Sequence, residues 1–373
     1  MYKQIFMNEE EILHEVDDRL LVLTKKLNLL KYLTPTNIKE ERAHFVAMKG
    51  DYDPQFSYDF PAREEIEARI EELNDMKNVY FDGQIFANKM SKLLLDKIEE
   101  NIVIAELLLA YSEQDFDNIE KYNTLLYGTF DPELSQEAEK ILASYKEPKA
   151  DLRWAILTGD EIQQYILDYM QKHKISGVKL TPNKQSTAKF AISFGKDLCY
   201  LSYSPEMKIR KYMLEADLIH ELQTHYTRYA NGKKTGWNIL TFWTQNYLTD
   251  EEGLALYNVC EYYKTLYPAF EKIGIYQKYL LLQQSQWASF REVATYIESK
   301  KWSKNLSNMF TMVFRCKQGI QDTSVKNPGN IFLKNKLYVD GYHRVSSRLA
   351  QWNDVNLLLK AKLKIDDLPY FLW

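Results

Sequence analysis

The first third of the chain has the apolar spacing that is typical of amphipathic helices. Apolar residues recur every three or four positions from Ile12 to Leu27, Asn8 is a candidate cap, and Pro35 ends the pattern. Because of its prolines, we expect the segment 34–61 to be extended or looped. Further helices are predicted for 62–77, 84–104, 103–112 and 133–145. Since no repeat of 20–50 residues is present, the pattern favours a helical bundle over a solenoid.

The apolar period changes in the middle of the chain. After a predicted helix from Thr158 to Lys174, apolar residues alternate or run continuously over 178–180, 188–194 and 198–203. Gly195-Lys196-Asp197 predicts a hairpin turn, and Ser204-Pro205-Glu206 predicts the start of the next helix. The sequence therefore indicates a small sheet just before that helix.

The remaining elements complete a predominantly helical α+β fold. Helices are predicted for 255–267, 276–299, 303–319 and 345–363, and a strand for 331–339. Pro148 lies at an expected boundary between an N-terminal helical region, 1–150, and a second domain, 151–373. A chain of 373 residues is long enough for two such parts.

Charge and cysteine content narrow the function classes. The net charge of −4 gives no basic footprint, so we expect no nucleic-acid partner. The cysteines, Cys199, Cys260 and Cys316, are far apart and show no CxxC spacing, which favours a reducing compartment. The N-terminus lacks a signal-like apolar region, and no apolar run approaches the ~18 residues of a membrane span. We therefore expect a cytoplasmic protein with no membrane partner.

The helix after the predicted sheet contains His220-Glu221-Leu222-Gln223-Thr224-His225. Two imidazoles and an acid on one helix are the groups that a zinc hydrolase uses. In a regular α-helix, at about 100° per residue, the two imidazoles would point roughly 140° apart, too far for one metal. We therefore predict a widened, π-type turn between Glu221 and His225. The alternative is two unrelated helical histidines, with His220 in the core.

A second acidic segment, Thr249-Asp250-Glu251-Glu252-Gly253, follows. Its simplest interpretation is a capping box, in which Thr249 caps a helix and Glu252 reaches back. That does not explain Gly253, which costs a helix about 1 kcal/mol relative to alanine. We expect this glycine to allow close approach to the metal helix, with Glu252 as the third ligand and Glu251 as the alternative.

These residues together predict a zinc-dependent metallopeptidase with a zincin-like core. Zn²⁺ held by His220, His225 and Glu252 would keep one position open and lower the pKa of a water molecule there toward ~7. Glu221 would not ligate; it would take the proton from that water and deliver it to the leaving amine. Candidate donors to the oxyanion are Tyr338, Tyr342 and His343.

The motif His-Glu-x-x-Thr-His followed by Glu-Gly-Leu-Ala resembles the signature of the microtubule-associated tyrosine carboxypeptidase family, whose bacterial members are described as QEGLA-motif proteins. Further similar blocks are Leu33-Thr34-Pro35-Thr36-Asn37, Asp53-Pro54-Gln55-Phe56-Ser57-Tyr58, Tyr200-Leu201-Ser202-Tyr203, Arg315, and Phe332 to Tyr338. The chain departs from the family pattern at Glu251 for Gln, at Leu333-Lys334-Asn335 for Thr-Lys-Asp, and at Cys316 for Gly. The first departure leaves the ligand intact, and the others bear on substrate selectivity.

The resemblance implies a zinc carboxypeptidase that removes an aromatic C-terminal residue, Tyr or Phe, from a protein or peptide. In eukaryotic relatives that residue is the terminal tyrosine of α-tubulin, so tubulin is a partner only if the source is eukaryotic or a host is targeted. A carboxypeptidase needs a cation for the substrate carboxylate. Arg228 follows His225 by one helical turn, and Arg315 and Lys334 match family blocks, so these are the candidates.

Two other functions remain open. A zinc endopeptidase or aminopeptidase would use the same metal site. A non-catalytic helical interaction protein would bind no metal, and the intact set of His220, Glu221, His225 and Glu252 argues against it.

Overall fold

The computed structural model describes residues 8–82, 88–145, 155–183, 190–195, 198–267, 273–352 and 354–371. The chain divides into two compact units: unit 1 comprises 1–145 and 273–339, and unit 2 comprises 146–272 and 340–373. The first division lies close to the boundary predicted near residue 150. Residues 273–339 belong to unit 1, and the predicted domains 1–150 and 151–373 stay a prediction.

The first part of unit 1 consists of helices. They are α1 Glu9–Lys26, α2 Leu29–Tyr32, α3 Ile38–Ala47, α4 Arg63–Phe81, α5 Lys89–Glu113, α6 Phe116–Tyr127 and α7 Pro132–Ser144. Asn8 caps α1, as predicted, in a capping box with Glu11. The two overlapping helices predicted for 84–112 are one helix, α5. The predicted loop 34–61 contains α3, because its prolines flank that helix and do not interrupt it.

The core of unit 1 is rich in aromatic rings. Phe45, Phe56, Phe290, Phe310 and Phe314 are all buried, and neighbouring ring centroids lie 5.3–6.3 Å apart. Offset and edge-to-face contacts at such distances stabilise a core beyond the area that they bury. Phe56 comes from the segment between α3 and α4, and this contact fixes that segment against the later helices of the unit.

Unit 2 begins with the predicted small sheet. Its elements are β1 Ile156–Thr158, α8 Gly159–Lys172, β2 Val178–Pro182, β3 Phe190–Phe194, β4 Cys199–Tyr203 and β5 Lys208–Arg210. In the three-stranded sheet β4 is central, parallel to β2 and antiparallel to β3. Strands β1 and β5 form a separate antiparallel pair. Lys196 and Asp197 of the predicted hairpin turn lie outside the described residues.

The helix start predicted at Ser204 is wrong. Residues 204–206 form a turn, and the chain continues into β5, where Ile209 pairs with Leu157 of β1. Ile209 is buried there, so strand pairing outweighs the local capping signal. The helix begins only at Lys211.

The helical part of unit 2 follows. It consists of α9 Lys211–Leu218, a π-helix Ile219–Tyr226, α10 Thr227–Lys233, α11 Asn238–Phe242 and α12 Tyr247–Leu266. The capping box predicted at Thr249 is wrong, because α12 begins two residues earlier, after Asn246. Side chains from α8, the sheet and α9 form one buried cluster that includes Leu222 of the π-helix. The predicted sheet thus packs beside the motif.

The last part of the chain contains α13 Ile273–Ser285, α14 Phe290–Ser299, α15 Leu306–Cys316 and α16 Leu337–Trp352. The long helix predicted for 276–299 is divided, because Ser289 caps α14. The strand predicted for 331–339 is wrong: a 3₁₀ turn, Leu333–Lys336, leads into α16. Its apolar residues are buried, and a short buried run does not by itself distinguish strand from helix.

The last helix predicted for 345–363 ends at Trp352. After it, two 3₁₀ turns, Val355–Leu357 and Ile365–Tyr370, flank an irregular segment. The predominantly helical α+β class is confirmed, whereas the zincin-like core stays a prediction. Among the described residues, none of the helices combines the length and the hydropathy needed to cross a bilayer.

Candidate metal centre

The helix that carries the histidine motif has the predicted widened turn. Residues Ile219–Tyr226 form a π-helix that continues α9 and leads directly into α10. Two threonine side chains follow the wider spacing: Thr224 Oγ1 donates to the carbonyl of Ile219 and Thr227 Oγ1 to that of Leu222, each at 3.2 Å. The corollary drawn from the five-residue spacing is confirmed. It brings the rings of His220 and His225 to a centroid distance of 4.8 Å.

Helix α12 adds a carboxylate to the two imidazoles. Glu252 Oε2 lies 3.4 Å from His220 Nε2 and 3.9 Å from His225 Nε2. One ligand atom from each of the three residues lies within 4.8 Å of the others. The donor set of two nitrogens and one carboxylate oxygen fits zinc, which takes three such protein ligands in open sites. These residues therefore have the chemistry and the convergence of a metal centre.

The two consecutive acids of α12 have different partners. Glu251 Oε1 lies 2.8 Å from His225 Nδ1, whereas Glu252 approaches the Nε2 atoms of both histidines. Neighbouring side chains on a helix point about 100° apart, which is why the two carboxylates reach opposite sides of one imidazole ring. This geometry supports Glu252, not Glu251, as the third ligand.

Glu251 lies in a buried group of charges. It is 2% exposed, it forms an ion pair with Lys362 Nζ, and its Oε2 lies 3.3 Å from Arg228 Nη1. Burial by itself raises the pKa of Glu251, but Lys362, the His225 hydrogen bond and Arg228 outweigh it and hold the pKa well below the usual range. Burial lowers the pKa of His225, but Glu251 and the other nearby carboxylates outweigh that effect and raise it.

Glu221 stands apart from the three converging residues. Its Oε2 accepts a hydrogen bond of 3.1 Å from the backbone N–H of Ile192 in β3. Its carboxylate is only partly buried. The acid between the two histidines is therefore oriented by the outer strand of the sheet, which agrees with its expected role as a group that does not ligate.

Arg228 is not where a substrate-binding residue is expected. It is 1% exposed, and its Nε donates to the carbonyl of Ala361 at 2.9 Å while Nη2 donates to that of Leu363. Its third contact is Glu251. The helical turn after His225 does bring Arg228 to the site, but to its buried side, where a peptide carboxylate has no access. The expectation of a substrate-binding role is not supported by this environment.

The other candidates are divided between the units. Arg315, Lys334 and Tyr338 belong to unit 1, whereas the histidines and Glu252 belong to unit 2, so the proposed roles of these three residues stay predictions. Tyr342 and His343 belong to unit 2. The Tyr342 hydroxyl interacts with Cys260 and Ser346, and burial raises its pKa to about 12. His343 contacts the ring of Tyr342 edge-on.

Gly253 allows a close approach of α12 to α16, and the approach to the metal helix that the sequence suggested stays a prediction. A Cβ atom at this position would lie 2.2 Å from the backbone carbon and oxygen of Gly341 in α16. A Cβ atom at Gly341 would in turn lie 2.0 Å from the carbonyl oxygen of Thr249. The two glycines thus permit backbone contact between α12 and α16, which positions the acidic segment of α12.

Sequence reasoning missed Lys362. It lies in the irregular segment after α16, is 1% exposed, and contacts Glu251. The signal in the sequence was weak: Lys362 is one of three lysines, Lys360, Lys362 and Lys364, that alternate with Ala361 and Leu363. Lysine is almost never fully buried unless it is paired, so only the tertiary structure shows its partner.

Comparison with known proteins identifies the family of the chain. The family model "Microtubule-associated tyrosine carboxypeptidase" matches residues 43–372. The chain belongs to this family. The microtubule-associated tyrosine carboxypeptidase 1 of Homo sapiens is 24% identical over 357 residues, which cover 94% of this chain and 62% of the relative. The protein of the same name in Mus musculus is 24% identical over 326 residues, 85% of this chain and 56% of the relative.

The resemblance noted from the motifs is thereby confirmed across most of the chain. The chain spans only about three fifths of the length of these relatives, with 62% and 56% of their residues matched.

Proposed function

We propose that this chain is a zinc-dependent carboxypeptidase that removes a C-terminal aromatic residue from a protein or peptide. The observation that carries the proposal is the convergence of His220, His225 and Glu252 on one side of a π-widened helix. Membership of a family named for tyrosine carboxypeptidases supports the reaction type.

The three converging residues would hold the zinc ion. When bound, zinc polarises the scissile carbonyl and lowers the pKa of a water molecule. A regular α-helix would separate His220 and His225 around its axis, so the π-helix is what makes both donors available.

Glu221 is the proposed general base. One of its oxygens is held by the Ile192 N–H, which leaves the other oxygen to accept a proton from the attacking water. The same carboxyl group then returns the proton to the nitrogen of the leaving residue as the C–N bond breaks. Water is thus divided between the new carboxylate and the released amino acid, and Glu221 ends as it began.

The position of β3 suits an extended peptide substrate. β3 is an outer strand of the sheet order β2-β4-β3, so one of its edges is not paired with another strand of that sheet. The Ile192 N–H that reaches Glu221 lies on that edge. A peptide that adds to such an edge is held by main-chain hydrogen bonds, beside the proposed base.

The substrate class follows from the family and from the candidate cations. A free C-terminal carboxylate requires a cation, and Arg315 and Lys334 remain the candidates. The relatives are named as microtubule-associated, so tubulin is the proposed substrate where it is accessible to this protein. The three free cysteines suit a reducing compartment such as the cytoplasm.

The first test separates metal binding from proton transfer. Purified protein is expected to contain about one zinc ion per chain, measured by atomic emission. Glu221→Gln keeps the acceptor for Ile192 but not the base, so we expect retained zinc and a loss of peptidase activity of about 10²–10⁴-fold. Glu221→Gln protein that has lost its zinc would show that the role of this residue is misassigned.

The second test concerns the substrate carboxylate. Replacement of Arg315 or Lys334 by Ala is expected to raise KM for peptides that end in a free Tyr or Phe, at an unchanged zinc content. Amidated peptides should be poor substrates for the wild type and for both variants. Cleavage of amidated, N-terminally blocked peptides, read by mass spectrometry, would instead identify an endopeptidase, and release of N-terminal residues an aminopeptidase.

A further inference from the structure

The geometry points to Glu251 as a positioning residue that fixes the orientation of His225, and to Lys362 as the buried counter-charge on which that arrangement depends. This inference rests on the proposed zinc site, but it assigns a role to residues that the peptidase mechanism does not use. It is carried by a hydrogen bond, by burial and by the path of residues 359–365, which we call the C-terminal strap.

His225 lies between two carboxylates that reach its two ring nitrogens. Glu251 Oε1 is 2.8 Å from Nδ1, and Glu252 Oε2 is 3.9 Å from Nε2. If Nδ1–H donates to Glu251, Nε2 keeps its lone pair and faces the Glu252 side, as a metal ligand must. A carboxylate partner also makes the imidazole a stronger donor to the metal.

A carboxylate at the position of Glu251 requires compensating charge. It is 2% exposed, and an isolated buried carboxylate is strongly disfavoured. Lys362 and Arg228, each 1% exposed, are the cations that contact it. Since Arg228 also donates to the carbonyls of Ala361 and Leu363, both cations are fixed by the same stretch of chain.

The C-terminal strap is held in place along its length. The Lys362 N–H donates to the carbonyl of Leu240 at 3.0 Å, and the Lys362 carbonyl accepts from both the N–H and the Oγ1 of Thr244. Asn231 Nδ2 donates to the carbonyl of Leu359, and the Ile365 N–H donates to Asp250. With its backbone fixed in this way, Lys362 places its ammonium group against Glu251.

Aromatic rings complete the environment of the ammonium group. Lys362 Nζ lies 4.2 Å from the ring centroid of Phe194 and 5.5 Å from that of Tyr247. Cation–π attraction stabilises a desolvated cation in such a place. Phe194 ends β3, the strand whose Ile192 orients Glu221. The ammonium group of Lys362 thereby contacts both β3 and Glu251, and Glu251 in turn contacts His225 of the π-helix.

A double-mutant cycle distinguishes an ion pair that only stabilises the fold from one that also positions His225. In Glu251→Gln the two cations lose their counter-charge, so the amide oxygen is drawn to them and its NH₂ faces His225 Nδ1. In Lys362→Met, Glu251 is left with Arg228 alone. In the double variant the net charge of the group returns to that of the wild type, and the amide oxygen is able to accept from Nδ1. Coupling of this kind is what such cycles measure.

The experiment is a zinc competition titration on the full chain, with a fluorescent chelator. We expect each single variant to bind zinc about 10–100-fold more weakly than wild type, and the double variant to recover most of that loss. Lys317→Met is the matched control: it removes a fully buried lysine in unit 1, outside the unit that holds the histidines, and should leave zinc affinity unchanged. Unchanged affinity in folded single variants, or additive losses in the double variant, would overturn the inference.

A second measurement keeps the inference testable if a variant does not fold. Histidine ¹⁵N spectra of the zinc-loaded wild type, assigned with His225→Gln, should show His225 protonated at Nδ1 and bonded to the metal through Nε2. If the spectra showed Nδ1 bonded to the metal, this inference would be overturned and the proposed zinc site would stand. A wild-type protein that binds no zinc would instead overturn the proposed function, and the Nδ1–H resonance of the metal-free protein would still report on the contact with Glu251.

Discussion

At the scale of single residues, two neighbours in the sequence have opposite environments. Glu251 and Glu252 are consecutive acids, yet Glu252 approaches the Nε2 atoms of both histidines and Glu251 the Nδ1 atom of His225. The pattern of the sequence left both open as the third ligand. Which of the two acids faces the Nε2 atoms depends on the rotation of α12, and the close contact of Gly253 with Gly341 contributes to that rotation.

A buried lysine in unit 1 gives a prediction for pH dependence. Lys317 is completely buried and donates to the carbonyls of Ser285 and Asn330, each at 2.7 Å. Burial lowers the pKa of Lys317 to about 7 from 10.5. Between these values the unfolded chain binds more protons than the folded one, so the free energy of unfolding should rise with pH, whereas below pH 7 both states are protonated and the contribution is constant.

Urea unfolding at pH 7.0 and 8.5 measures this effect. We expect the free energy of unfolding of the wild type to increase by about 1.5 kcal/mol more than that of Lys317→Met between the two pH values. Methionine has a similar length and does not titrate. The Lys317→Met variant therefore reports the pH dependence that comes from all other groups of the protein. Identical pH profiles for the two proteins would contradict the prediction.

At the scale of elements, the sequence predicts a helix correctly where its own cap and apolar periodicity are enough to define it. Helix α1 with Asn8, α4, α7 and α8 follow the sequence pattern closely. The pattern fails where a partner distant in sequence determines the local structure. Strand β5 is an example, because it forms by pairing with β1. The π-helix is the exception: it was predictable because two candidate ligands five residues apart require it if they are to share a metal, a functional argument and not one from propensity.

The contact between α12 and α16 yields a prediction with a matched control. Gly253→Ala places a methyl group 2.2 Å from the backbone of Gly341, and backbone cannot move aside as a flexible side chain can. We expect a loss of about 3 kcal/mol in the free energy of unfolding and weaker zinc binding, because Glu252 shifts with its helix. Gly274→Ala, in α13, meets nothing within 4 Å and should stabilise the protein by about 0.5–1 kcal/mol.

Urea unfolding and zinc titration of both glycine variants are the measurements. Equal stability of Gly253→Ala and wild type would mean that the two helices do not approach as closely as described. A destabilising Gly274→Ala would show that the helix propensity argument does not hold at the control position.

At the scale of the whole molecule, the converging histidines and acids, the outer strand β3 and the C-terminal strap all belong to unit 2. The strap joins this unit only after the chain has passed through residues 273–339 of unit 1. The charge group beside the proposed metal centre thus combines residues that lie more than a hundred positions apart, such as Glu251 and Lys362.

Hydrogen exchange should show where zinc acts. A ligand that binds only the folded state at 100 times its Kd stabilises it by about 2.7 kcal/mol. We expect amide exchange to slow on zinc addition in 219–226, in α12 and in the strap, while α4 and α5 of unit 1 change little, as followed by mass spectrometry with EDTA-treated protein as reference. Protection that omits residues 359–365 would separate the strap from the metal centre.

The sequence by itself determined the helical class, the small sheet, the widened turn and the set of candidate ligands, because periodicity, caps and ligand spacing are local properties. Only the tertiary structure decided that Glu252 faces the histidines, that Arg228 is buried under Glu251, that Gly253 meets Gly341, and that Lys362 completes the charge group. The physical reason is that helix rotation and burial depend on packing partners far away in the chain. A local sequence pattern does not show which of those distant residues packs against it.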